Sequence, residues 1–250
     1  MSRDPSTQKG FSLLELGIVL IVLTLLFSSV MPAFSAYRQI AEIQEARQQL
    51  ATANETLLGF AARHGRLPCP AAPGTSGVES PESGGACTHP WNGLLPGSTL
   101  GLHPQDEQGY VLDPWGNPLR YALSTFSTTA CGNTPCLSRE DGIRNIWNSE
   151  TPPQPDLRIC RTATGRTGLG GTAECASGSA LTKDAVAVIF SLGRNGNQRP
   201  SGNDETANID NDRLFVSHDP TLPPEEFDDQ IIWISSNIFY SRLISAGRLP

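Results

Sequence analysis

One carboxylate, Glu15, stands near the start of an otherwise uncharged stretch that runs from Leu16 to Tyr37. As a helix rising about 1.5 Å per residue, that stretch is long enough to cross a hydrocarbon core of about 30 Å. An acid in such a helix costs about 2.5–3.5 kcal/mol on insertion scales, so it needs a cationic partner. A secretory signal peptide would show a shorter apolar core and a small-residue cleavage site, and Phe34-Ser35-Ala36 is a poor one. Arg3 and Lys9 precede the stretch, which places the amino terminus in the cytoplasm and the remainder outside.

Past Pro32 the apolar residues continue at helical spacing, through Ile40, Ile43, Ala46, Leu50, Ala53, Leu57, Phe60 and Ala61. Gly65 and Pro68 then stop the pattern, which predicts one helix from about Phe11 to His64. Residues 67–250 change character, with short apolar runs between Gly, Pro, Ser, Thr and Asn turns. Strands are predicted at Leu119–Leu123, Ala185–Leu192, Leu214–Val216 and Ile231–Ile234, and a terminal helix at Ile238–Ala246. The expected fold class is α+β. It comprises a long amino-terminal helix, membrane-spanning in its first half and amphipathic in its second, packed on a small antiparallel head sheet with long disulfide-bearing loops. The expected organisation is a leader over 1–10, a transmembrane and assembly helix over 11–37, its amphipathic half over 38–66 and one globular head over 67–250.

The segment Gly10-Phe11-Ser12-Leu13-Leu14-Glu15, after a polar leader ending in Lys9, resembles the amino terminus of type IV pilins and type II secretion pseudopilins. The resemblance implies cleavage by a prepilin peptidase between Gly10 and Phe11, N-methylation of Phe11, and pairing of Glu15 with the Phe11 amine of a neighbouring subunit during assembly. It also implies a single-pass inner-membrane protein with a periplasmic head that moves into a filament. Its partners would be other pilin-like subunits, the peptidase, an inner-membrane assembly platform and membrane lipid. Pro32 matches a proline of many pilin helices, where the lost N–H kinks the helix. The function implied is a structural subunit, pseudopilin or minor pilin, of a filament, foremost of a type II secretion system. The alternatives are a membrane-tethered ligand-binding or adhesin module, and a minor pilin of a type IV pilus or DNA-uptake machine.

Six cysteines, Cys69, Cys87, Cys131, Cys136, Cys160 and Cys175, all fall in the head. Their even number and placement predict disulfides, with fifteen pairings open; a zinc site is the rival, but Cys131 and Cys136 lack a second close Cys or His pair. The net charge of −7 argues against nucleic acid as the main ligand.

After the strongest strand come Ser191-Leu192-Gly193-Arg194-Asn195-Gly196 and then an acidic run from Asp204 to Asp212. In an extended loop Asn208, Asp210 and Asp212 turn the same way and offer hard oxygens suited to calcium. The loop resembles the calcium loop of the major type II pseudopilins, which implies a site drawn from Leu192, Asn195, Asp204, Asn208, Asp210 and Asp212. Here Asn195 replaces the usual Asp and the intervening segment is longer. The alternative is a solvated Asn/Asp turn. Asp113-Pro114-Trp115-Gly116-Asn117-Pro118 resembles a stretch of the same family and reads as a structural turn with Trp115 as its apolar plug. No catalytic signature is present, so no enzyme is expected; Asp228-Asp229 reads as a turn before the Ile231 strand, since neighbours in a strand face opposite ways.

Overall fold

A computed structural model describes residues 12–147, 154–198, 200, 202–221 and 223–250, with side chains for all of these except 27–36. Gly10 and Phe11, the predicted processing site, lie outside the described residues, as does the Pro32 ring. The chain divides into two compact units, Met1–Gln44 and Glu45–Pro250. Helix α1 (Leu13–His64) contributes to both.

In the first unit, described side chains cover residues 12–26 and 37–44. Among the described residues no helix is long and apolar enough to cross a membrane. This corrects the expected membrane-spanning helix over 11–37, and with it the single-pass inner-membrane placement.

The second unit is built on a curled six-stranded sheet. Strands β1 (Gly93–Leu94), β2 (Arg120–Leu123), β3 (Leu157–Cys160), β4 (Ala180–Ser191), β5 (Leu214–Val216) and β6 (Gln230–Ser235) run in the order β1-β2-β4-β3-β5, with β6 also on β4. Ala185 pairs with Leu157 of β3 and Ser235 of β6, so these two strands take opposite edges of β4. Strand β2 pairs with Ala187–Phe190, which β6 also pairs, so β2 and β3 share the other edge in tandem. The expected small antiparallel sheet is therefore corrected: β3 and β5 are parallel, and the sheet is mixed. The reason is local. Strand β3 carries Arg158 and follows a Pro-rich stretch, which hides it from a periodicity reading.

Both faces of β4 are buried from Ala185 to Phe190. Val186 and Ile189 join the cluster made by Leu50, Ala53, Leu57 and Ala61 of α1 with Phe239 and Leu243 of helix α5 (Ser236–Ser245). Ala185, Val188 and Phe190 turn to the opposite face, against Leu157, Ile159 and Phe215. Of the amphipathic stripe predicted from Ile40 to Ala61, Ala46, Leu50, Ala53, Leu57 and Ala61 are buried, while Ile40 is exposed. Ser235 caps α5 by accepting from the Ile238 amide at 3.4 Å, as Ser does at a helix start. Three shorter helices, α2 (Gly97–Leu100), α3 (Gly142–Trp147) and α4 (Asn203–Ile209), pack around the sheet loops.

The six cysteines form three disulfides, Cys69–Cys87, Cys131–Cys136 and Cys160–Cys175. None is left for zinc.

Leu57 is fully buried under the sheet, whereas Leu169 is 72 % exposed. Leu57→Ala is expected to lower the unfolding free energy by about 2–5 kcal/mol and Leu169→Ala by no more than about 0.5 kcal/mol, read from urea titrations followed by tryptophan fluorescence.

Candidate metal centre

The site follows from one register. Ser191, the last residue of β4, pairs with Gln230, the first of β6. Residues leaving β4 therefore run beside those entering β6, and Leu192–Asn195 meet Asp228 and Asp229. The contact is close: the Arg194 amide donates to Asp228 Oδ2 at 3.0 Å. Gly193 has φ +64°, and a Cβ there would stand 2.1 Å from Asp228 Oδ1, so both backbone and space require glycine.

The Asp113–Asn117 turn braces the same loop from behind. Asp113 Oδ1 accepts the amides of Trp115 and Asn117 at 3.0 and 2.8 Å, while Oδ2 accepts the Ser191 hydroxyl at 2.6 Å. Asn117 Nδ2 donates to the Gly193 carbonyl at 2.7 Å. The Asp113–Asn117 turn and the Leu192 loop are thus bonded to each other, and Trp115 of the turn is half-buried. Burial pushes the Asp113 carboxyl up, against the hydrogen bond from Ser191.

Helix α4 supplies the third wall. Sequence reading makes 204–212 an extended loop, but residues 203–209 are helical, with Asp204 and Glu205 in the first turn, where carboxylates favour the dipole. The predicted oxygen set consequently disperses. Asp204 Oδ1 accepts the Ala163 amide at 2.6 Å and its Oδ2 lies 3.2 Å from His218 Nε2. Asp210 and Asp212 both face Arg166, at 2.7 and 3.3 Å, and Asp212 also accepts the Leu214 amide at 2.7 Å. Asn208 is fully buried: its Oδ1 accepts the Val216 amide and its Nδ2 donates to Asp229 Oδ2, both at 2.7 Å. Of the predicted six, Leu192 and Asn195 border one small cavity, about 20 Å³, together with Glu205 and Asp229. That is room for a single water or ion.

The carboxylates that do converge are Glu205, Asp228 and Asp229, with one oxygen from each within 4.8 Å of the others. Glu205 and Asp229 are 3 % and 5 % exposed. Asn195 Nδ2 donates to Glu205 Oε1 at 2.8 Å. Asp228 Oδ1 is buried without a hydrogen-bond partner. Burial, then the charges of Glu205 and Asp228, push Asp229 up to about 8 against the Asn208 hydrogen bond. Asp228 is pushed up to about 6, first by burial and next by Glu205, against the Arg194 amide. Acids so placed must hold protons or a cation. The donors are hard oxygens, which suit calcium or magnesium.

Asp228 and Asp229 precede β6 and lie outside the strand, so the opposite-face argument made from sequence does not govern them. The signal that could have found them is the apolar Ile231 run as a partner for β4, which brings both acids to the Leu192 loop. In comparisons with known proteins, no protein-family model, no curated protein and no solved structure matches the chain.

In cation-free buffer, native Asp229 keeps a proton to about pH 8 that the unfolded chain releases near 3.8. Stability contributed by this group is therefore fully present below about pH 4 and is lost as pH rises through about 8. Asp229→Asn is expected to flatten that decline, measured as urea midpoints between pH 5 and 9 in the presence of a chelator.

Proposed function

We propose that the chain is a pilin-like structural subunit, a pseudopilin or minor pilin, that packs through its amino-terminal helix against copies or relatives of itself in a filament, foremost of a type II secretion system. The observation that carries this reading is the helix surface from Leu13 to Leu26. Eleven large apolar side chains there are 42–90 % exposed, all round the helix. A helix apolar on every side is stable in water only when other apolar surface covers it, and neighbouring helices of the same kind supply that cover. Glu15, exposed in the first turn of α1, has no side-chain partner among the described residues. A neighbour's Phe11 amine would complete it. The three disulfides support a head that matures under oxidising conditions.

The mature protein is expected to begin at N-methylated Phe11 by mass spectrometry; an intact Met1 would count against processing. Glu15→Ala is expected to cut incorporation into filaments about tenfold or more, the worth of roughly 1.4 kcal/mol per contact, with the circular dichroism of the head unchanged. Unaltered incorporation rejects the pairing.

A second reading concerns calcium, and the acid cluster beside an ion-sized cavity favours it. Glu205, Asp228 and Asp229 would supply the charged oxygens and Asn195 and the Leu192 carbonyl region the neutral ones. Bound calcium would tie the end of β4 to the start of β6. Calorimetric titration of the protein with calcium is expected to show one site, and calcium at a hundredfold over its dissociation constant should stabilise the fold by about 2.7 kcal/mol. Glu205→Gln should remove both effects.

A further inference from the structure

A cavity of about 280 Å³ lies where the end of α1, helix α3 and the chain's last residues meet, lined among others by Arg63, His64, Arg144 and Arg248. The chain as a whole carries −7, so three guanidinium groups in one pocket need a reason. Arg248 serves the fold, because its Nε and Nη2 donate to the carbonyls of Ala62 and Arg63 and so satisfy the open end of α1. Arg63 and Arg144 have no such role. Both are exposed, and neither guanidinium has a hydrogen-bond or ion-pair partner among the described residues.

His64 completes the wall. Its ring is stacked on Phe60 with centroids 4.2 Å apart. Burial lowers its pKa first, followed by the charges of Arg63 and Arg66, against Glu79, with Arg248 adding less. Glu79 is itself held by Arg66 at 2.6 Å. Glu140 and Asp141 also line the pocket, and neither is paired with an arginine among the described residues. The field at the imidazole is therefore positive.

We propose that this pocket binds a phosphate-type oxyanion, with Arg63 and Arg144 as its charged donors and His64 as the neighbouring side chain that responds when the anion arrives. Guanidinium groups match the geometry of phosphate oxygens, and a phosphate carries between one and two negative charges at neutral pH, enough to engage both free arginines. The bound anion reverses the local field and draws a proton onto His64. The proposal is independent of the acid cluster and of filament assembly.

The test is an NMR titration of the full-length protein with inorganic phosphate at constant ionic strength, following the histidine ring resonances. The expected result is saturable movement of His64 with a dissociation constant of about 1 mM or lower and a raised His64 titration midpoint, while His89, His103 and His218 stay in place. Arg63→Gln with Arg144→Gln should weaken binding about tenfold or more, and Arg144→Lys, which keeps the charge, should retain part of it. Movement of all four histidines alike, movement reproduced by sodium chloride, equal binding of acetate, or binding unchanged in the double variant would each overturn the assignment.

Discussion

Strand β4 has partners along both edges and apolar cover on both faces from Ala185 to Phe190. A strand in that position has no backbone group left for solvent and no side chain left for choice, which fixes its register against every neighbour. The register then decides where the loops go. Ser191 opposite Gln230 brings the Leu192 loop to Asp228 and Asp229, and the Ser191 hydroxyl on Asp113 locks the Trp115 turn behind it. The acid cluster is thus a product of strand pairing, made from residues that are distant in sequence.

Five of the regular elements were legible because each has an apolar run with the right period between turn residues: β2, β4, β5, β6 and α5. The amphipathic stripe of α1 was legible for the same reason, with Leu50, Ala53, Leu57 and Ala61 all buried. Strand β3 was not, since it follows directly on the Pro-rich stretch 151–156, which reads as an insertion. Helix α4 was not, since Asn, Asp and Thr compete with helix by bonding local backbone and read as a turn. Burial of Ala207 against Leu214, Val216 and Phe227 outweighs that preference. The helix takes Asp204 and Asn208 out of the predicted extended loop, while Asp210 and Asp212 lie beyond its end and face Arg166, so the predicted calcium ligands scatter.

The amino-terminal stretch shows a different limit. Its composition reads equally well as a bilayer span or as a surface meant for other helices, because both demand apolar side chains all round. Among the described residues no helix is long and apolar enough to cross a membrane. The described residues from Leu13 to Leu26 form a strongly apolar helix surface that carries Glu15.

Each disulfide joins cysteines close in sequence, 18, 5 and 15 residues apart, and none links α1 to the sheet or one strand of the β4 ladder to another. Oxidation therefore stiffens individual loops and leaves the central ladder to hydrophobic burial and backbone bonds. A chain wired this way acquires its cross-links without a long search among distant thiols, and reducing them slackens the periphery before it touches the centre.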